Sequence, residues 1–352
     1  MTYLFVVNTP TPQRAPTFDS LGATLRGARF YYLRIGDDDR GWGRVYTTHA
    51  FAVLDSWRSR ARFVRDLCDP RLEVVCLFGY RHWSRKLACL VARVRSTPVV
   101  MRSDSSQADH ATRPAPLRLV KQVYLRSLLG QPEVWTVGQR NDDYWRSLGF
   151  HRRVRIPYTV PMPPGGAELA LEVSKQNPAC AATTVFAFVG RLTLDKGVTD
   201  LLRAFQRLKS APSAARSILI VAGQGPLAAD VAAQADSDLV YLGAVPYHRL
   251  GSVYAAADVV VVPSRREPWG LVVNEALLHG ARVLASDRVA AADDLVNGER
   301  GARFPAGDVT ALTAALVAET ERTDRQRVVY SEVDVAQMMA ERLRALSTDR
   351  QS

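Results

Sequence analysis

Short apolar, β-branched runs alternate with amphipathic stretches along this chain in two series, and that alternation leaves few architectures open. In the first series the runs are 3–7, 30–33, 72–78, 98–101 and 133–136; in the second they are 184–189, 217–222, 239–242, 258–262 and 282–285. Apolar residues at helical spacing lie between them, at 84–95, 116–129, 198–208 and 227–235. Continuous apolar runs are the pattern of strands buried on both faces, and strands alternating with helices imply parallel sheets covered on both sides. Two series imply two Rossmann-like α/β domains, which 352 residues accommodate. The pattern breaks after residue 160 in PMPPGGAELALEVSKQNP, whose prolines, glycines and polar residues read as a linker. The expected division is a first domain at 1–160, a linker at 161–177, a second domain at 178–325 and a C-terminal helix within 326–352. That last segment places Val333, Val335, Met338, Met339, Leu343 and Leu346 on roughly one helical face.

Composition narrows the function classes. Hydrophobic residues make up 47% and charged residues 23%, with no run of eighteen apolar residues and no basic leader at the start. The expectation is a cytoplasmic protein. Four cysteines, Cys68, Cys76, Cys89 and Cys180, match no metal-binding spacing and read as reduced. The net charge of +11 is unevenly distributed: residues 1–160 hold 26 Lys+Arg against 13 Asp+Glu, and the remainder holds 20 against 22. Nearly all of the basic excess is Arg, which suits bidentate phosphate binding. An anionic acceptor and an anionic membrane at the inner face of the cell both fit this bias, as does an Arg-rich composition with no partner at all. Nucleic acid is not expected, because RNP, zinc-finger and helix-turn-helix signatures are absent.

The most informative local feature is PSRREPWGLVVNEALLHG at 263–280, which follows the apolar run 258–262. Two carboxylates, Glu267 and Glu275, are separated by seven residues across a strand-to-helix corner. The first amides of a helix starting at Pro268-Trp269-Gly270 have no intrahelical partner, so they form an anion site. Two carboxylates do not help hold a phosphate, since like charges repel; they suit hydroxyls. Amides for a diphosphate beside carboxylates for sugar or ribose hydroxyls describe a nucleotide-sugar pocket. Arg191 and Lys196, in the loop GRLTLDKG after the run 184–189, reach one phosphate pair from the carboxyl end of a strand, where ligands of open α/β sheets bind.

This spacing resembles the E-x7-E motif of retaining glycosyltransferases, in particular glycosyltransferase family 4 with its GT-B fold. The resemblance extends in order through FAFVGRLTLDKGVTDLLRAF at 186–205, VAGQGPL at 221–227, YLGAVPYHRL at 241–250 and ASDRVAAADDLVNGERGARFPAGDVTAL at 285–312. It implies two Rossmann-like domains with parallel sheets facing a central cleft, donor in the second domain and acceptor in the first, and a C-terminal helix within 326–352 that crosses back to the first domain. It also implies a role in carbohydrate biosynthesis: same-face transfer of a sugar from a nucleoside-diphosphate sugar to an acceptor hydroxyl. Arg191, Lys196 and Glu267 then act on the reacting groups. Gly190, Gly223, Val245, Trp269, Gly270, Leu271, Val272 and Glu275 bind the donor, with Glu275 resembling the residue that holds the ribose hydroxyls. No metal and no cofactor are expected, since Arg and Lys cover the diphosphate; Asp37-Asp38-Asp39 reads as a solvated loop.

The first domain departs from the family pattern. Its first strand leads into NTPTPQRAPTF, with no glycine, where Gln13 or Arg14 substitutes by side chain. No histidine sits in a motif that marks an acceptor-side group. Arg14, His82, Arg102 and Asp104 are the acceptor-side candidates, each placed after an expected strand end. The acceptor stays open between an anionic, a lipid-linked and a natural-product sugar. Two other readings also stay open: a GT-B relative that acts on sugar nucleotides without transfer, in the manner of an epimerase, and an anionic-surface binding module.

Overall fold

The structure is a computed structural model that describes residues 1–34, 47–105, 115–158, 160, 184–210, 217–322 and 334–348. It divides into two units, Met1–Thr159 with Val333–Ser352, and Val160–Glu332. The expected linker at 161–177, Asp37-Asp38-Asp39 and Cys180 lie outside the described residues.

In the first unit, β1 (Thr2–Val7), β2 (Ala28–Tyr32), β3 (Phe51–Val53), β4 (Leu72–Phe78), β5 (Val99–Arg102), β6 (Glu133–Thr136) and β7 (Arg153–Arg155) form one parallel sheet. Their order is β3-β2-β1-β4-β5-β6-β7. The helices are α1 (Ala15–Thr24), α2 (Trp57–Leu67), α3 (Trp83–Val94), α4 (Ala115–Leu129) and α5 (Gln139–Ser147). The two-residue period of β1 sorts its side chains to opposite faces. Leu4 and Val6 join Phe63, Ala88, Leu125 and Trp145 of α2 to α5 on one face. Tyr3, Phe5 and Val7 join Phe18 and Leu21 of α1 on the other. That second face is completed from the far end of the sequence, by Met339, Leu343 and Leu346 of the C-terminal helix Val335–Thr348. Arg342 of this helix pairs with the buried Glu133 of β6, and Ser347 donates to the Tyr3 hydroxyl at 3.3 Å.

In the second unit, β8 (Thr184–Val189), β9 (Ser217–Ala222), β10 (Leu239–Gly243), β11 (Val259–Val262), β12 (Arg282–Ser286) and β13 (Gly301–Phe304) form a parallel sheet in the order β10-β9-β8-β11-β12-β13. Its helices are α6 (Val198–Lys209), α7 (Ala228–Ala232), α8 (Tyr247–Ala256), α9 (Leu271–Leu278), α10 (Ala290–Leu295) and α11 (Val309–Thr320). Val198, Leu201 and Phe205 of α6 meet Leu312 and Leu316 of α11 over Phe186, Leu219 and Val261 of the sheet. The carboxylate of Asp258 accepts from the Val185 N–H at 2.9 Å, and the Asp258 N–H donates back to the Val185 carbonyl at 2.9 Å. This reciprocal pair locks the starts of β8 and β11 in register.

Each sheet reverses its winding at one place, between β1 and β4 in the first unit and between β8 and β11 in the second. At such a reversal the chain leaves neighbouring strands in opposite directions, which opens a crevice at their carboxyl ends. The segments following β1, β4, β8 and β11 are therefore where function should be sought.

An acid-sensitive contact ties α1 to the segment before β3. Asp19 of α1 accepts from the N–H groups of Thr48 and His49 at 2.7 and 2.9 Å, and contacts His49 Nδ1 at 2.6 Å. Burial acts to raise the Asp19 pKa, but the hydrogen bonds from His49 and Thr48 overcome it and hold the carboxyl below its ordinary 3.8. Its stabilisation is therefore complete above 3.8 and is lost as pH falls through the lower folded-state value. Asp19→Asn should cost about 1 kcal/mol near neutrality and flatten the acid loss of stability. Denaturant melts at a series of pH values check this, and parallel pH profiles for the two proteins would remove the role.

Candidate functional site

The loop after β8 and the loop after β11 are docked on each other by contacts that leave little freedom. Gly197 has φ +72°, and a Cβ there would lie 2.0 Å from the Pro263 carbonyl oxygen, so only glycine permits the approach. The Arg265 N–H donates to the Asp195 carbonyl at 2.8 Å. The Arg265 guanidinium grips the buried Asp200 carboxylate with two bonds of 2.9 Å. These contacts bring Lys196 to Glu267, and the two form an ion pair in which Lys196 Nζ donates to Glu267 Oε2. Arg191 lies exposed after β8 and has no ion-pair partner among the described residues. The Asp195 carboxyl is held below its ordinary value by the Thr193 hydroxyl, against burial, and then by the charges of Lys196 and Arg191. Both cations therefore sit around one short loop at the crevice.

Gly270 supplies the second half of the corner. It caps α9 in the left-handed region at φ +102°, and a Cβ there would meet Val289 Cγ1 at 2.8 Å and Glu267 Cγ at 3.1 Å. No side chain caps α9, so the first amides at Leu271 and Val272 begin the helix without intrahelical acceptors. Trp269 is buried, its indole donating to Asn274 Oδ1 at 3.0 Å, and its carbonyl accepts from the Ala291 N–H at 2.8 Å. Gly190 and Gly223 lie on neighbouring strand ends: the Gly190 N–H donates to the Ala222 carbonyl at 3.0 Å, and the Gly223 N–H to the Gly243 carbonyl at 2.7 Å. Val245 is half-buried just before α8, two residues ahead of Tyr247.

Glu275 takes a place that spacing alone does not disclose. It is 3% exposed and accepts a hydrogen bond of 2.5 Å from the hydroxyl of Tyr254 on α8. Burial, followed by the Glu275 charge, pushes the Tyr254 phenol well above its ordinary value, so the phenol stays the donor. Tyr254 in turn stacks on His279, with ring centroids 5.7 Å apart. The structure thus sets Glu267 beside a cation and Glu275 beside a phenol.

In the first unit the acceptor-side candidates separate into two groups. Arg14 donates to the Tyr158 hydroxyl at 3.0 Å and lies 5.2 Å from the centre of its ring; Arg102 lies 4.9 Å from the same centre. Arg102 is buried and donates to the Ile156 and Pro157 carbonyls at 2.8 and 3.0 Å, and burial lowers its pKa to about 10. Asp104 is exposed; its charge, after that of Tyr158, raises the Arg14 pKa. His82 stands apart from these and caps α3, its Nδ1 accepting from the Ser84 N–H at 3.3 Å. With Nδ1 engaged as an acceptor, the neutral ring carries its hydrogen on Nε2, which suits His82 to donate a hydrogen bond there. Burial, then the charges of Arg85 and Arg60, lower its pKa.

Arg85 was not singled out by the sequence. It is buried in the first turn of α3, donates to Asn8 Oδ1 at 2.6 Å, and leaves its Nε without a partner among the described residues. Burial alone lowers its pKa to about 10, since no carboxylate among the described residues balances it. Gln13, five residues after Asn8, is buried with its Oε1 unpaired among the described residues. One signal could have found Arg85: a cation in the first turn of a helix opposes the helix dipole and needs another reason to be there.

The Glu275–Tyr254 pair yields a stability test. Glu275→Ala leaves the Tyr254 hydroxyl buried without its acceptor and should destabilise the protein by about 1–3 kcal/mol. Adding Tyr254→Phe should recover part of that loss in a denaturant double-mutant cycle. Purely additive losses would show that the two side chains do not act together.

Residues 183–320 match the family described as Glycosyl transferases group 1. An uncharacterized glycosyltransferase of Methanocaldococcus jannaschii is 38% identical over 104 residues, 28% of this chain and 26% of that protein. A D-inositol 3-phosphate glycosyltransferase of Corynebacterium diphtheriae is 37% identical over 130 residues, 34% of this chain and 30% of that protein. The chain thus spans under a third of the length of these curated relatives. Among solved structures, Anabaena Alr3699/HepE in complex with UDP superposes with a TM-score of 0.68 at 16% identity, covering 100% of this chain and 98% of that one. The fold is similar to that of solved GT-B glycosyltransferases, and residues 183–320, within the second unit, match the glycosyl transferases group 1 family.

Proposed function

We propose that this protein is a retaining, metal-independent glycosyltransferase that moves a sugar from a nucleoside-diphosphate sugar in the second unit to an acceptor hydroxyl bound by the first. The observation that carries this reading is the meeting of Lys196, Arg191 and the uncapped start of α9 at the β8–β11 reversal. As the bond from the sugar to the diphosphate breaks, negative charge grows on the departing oxygens. Fixed cations and amides there stabilise the transition state more than the bound substrate.

Lys196 already has an anionic partner in Glu267, so an arriving diphosphate competes for it. A partly exposed pair of this kind contributes only about 0–1 kcal/mol, so the exchange is inexpensive. Glu267 released from Lys196 is then available to sugar hydroxyls, and Glu275, steadied by Tyr254, to the ribose. The departing phosphate oxygen accepts the acceptor proton on the same face, so no side-chain base is needed. This fits a His82 whose Nδ1 is engaged as an acceptor. Gly190, Gly223, Val245, Trp269, Gly270, Leu271 and Val272 complete the donor wall.

An anionic acceptor is favoured among the alternatives by the first unit. Arg85 is buried with no carboxylate partner among the described residues, and a ligand phosphate or carboxylate would supply one. The name of the inositol 3-phosphate relative agrees with this class of acceptor without identifying it.

The test is release of nucleoside diphosphate from UDP-, GDP-, ADP- and dTDP-sugars, with the product anomer assigned by NMR. The expected result is turnover with one of these donors, retained configuration and no loss of rate in EDTA. Arg191→Ala and Lys196→Ala should each lower kcat by about 10²–10³. Epimerised sugar nucleotide without transfer would favour the epimerase-like reading, and full activity in Lys196→Ala would end the site assignment. Arg85→Met should raise KM for the acceptor more than for the donor, and equal effects on both would remove its acceptor role.

A further inference from the structure

We infer that the outer surface of α2, α3 and α4 is a docking face for an anionic lipid bilayer. The inference does not depend on the proposed reaction. It rests on side chains that the fold leaves facing solvent, on the side of these helices opposite the core they share.

Helix α4 buries Leu125 and Leu129 but exposes Leu117, Leu119, Val120, Val123 and Tyr124. These five fall within one stripe of the helix, at spacings of three and four residues. Helix α3 continues the surface. Trp83, Leu90 and Val94 are exposed at the same kind of spacing, Val94 at 80% exposure, and Lys86 and Arg93 stand among them. The two stripes are contiguous, since Arg93 donates to the Ser127 carbonyl at 2.6 Å and Lys86 Nζ lies 5.8 Å from the Tyr124 ring centre. Helix α2 adds Trp57, 74% exposed, and Val64, with Arg58, Arg60, Arg62 and Arg65 around them. It joins the same face through Arg60, which lies 6.0 Å from the Trp83 ring centre. Soluble proteins scatter exposed apolar residues singly; a contiguous patch of this extent marks an interaction surface.

Charge decides the occupant. The three helices contain a single carboxylate, Asp66, and it is buried against the hydroxyl of Tyr31. The outward surface of the three helices themselves is thus apolar and cationic, with Asp55, just ahead of α2, the exposed acid beside it. A second copy of the same face would bring like charges together. Nucleic acid would use the cations but leave the leucines and valines idle. A bilayer with anionic headgroups uses both: the apolar side chains enter the headgroup–acyl boundary, Trp and Tyr sit at the interface, and Arg and Lys meet phosphates. No helix among the described residues is long and apolar enough to cross a membrane, so the contact would lie along the surface.

Full-length protein is incubated with phosphatidylcholine vesicles and with vesicles that also contain phosphatidylglycerol, and the bound fraction is read by co-sedimentation. Binding should be at least about tenfold stronger to the anionic vesicles and should weaken as salt shortens the Debye length below about 10 Å. Val120→Glu with Val123→Glu should lower it by about tenfold or more, with thermal unfolding unchanged because both positions are exposed. Arg58→Glu with Arg62→Glu should remove the preference for anionic lipid. No preference for anionic vesicles, or wild-type binding by the Val120/Val123 variant, would overturn the proposal. So would retention on nucleic acid without vesicle binding, or a self-association abolished by that variant in the absence of lipid.

Discussion

The close approach of the loop after β8 to the strand end of β11 is the constraint on which the rest of the second unit depends. Gly197 lies against the Pro263 carbonyl with no room for a side chain, and Arg265 ties the same loop to Asp195 and Asp200. Lys196, Arg191 and the start of α9 follow from that docking, because they are carried by the two segments it joins. The parallel strands beneath set the distance. The reciprocal bonds between Asp258 and Val185 hold β8 and β11 in one register, so the cationic loop cannot slide along the corner.

The first unit repeats the same topological device with different chemistry. Its reversal, between β1 and β4, brings Asn8 to Arg85 and leaves an arginine buried without an acid among the described residues. Where a glycine-rich loop would offer backbone amides, NTPTPQRAP offers side chains, and Arg14 is turned onto Tyr158 beside Arg102. The basic excess of the first half is therefore not one feature. Part of it is buried at the crevice and part is spread over α2, α3 and α4, two settings that composition sums together.

Much of the fold was legible from apolar runs because most strands here are buried on both faces. The strands that escaped notice are β3, β7 and β13, and each lies at a sheet edge. Arg-Val-Arg in β7, and the exposed Ala302 and Arg303 in β13, carry no continuous apolar signal because only one neighbour covers them. At the candidate site, local spacing disclosed the corner, the glycines and the loop cations. It could not disclose partners distant in sequence. Lys196 meets Glu267 across 71 residues, and Glu275 meets Tyr254 from another helix, so residue spacing could not tell that one carboxylate binds a cation and the other a buried phenol.

The C-terminal helix has a consequence for the order in which the chain can be completed. Leu343 and Leu346 belong to the core against β1, so that core stays open until the segment carrying them has been synthesised. The second unit is a continuous stretch and has all of its strands and core helices earlier. On a translating ribosome the half that emerges first would therefore be the half that finishes folding last, with Phe5, Phe18 and Val74 waiting uncovered while some 170 residues are added.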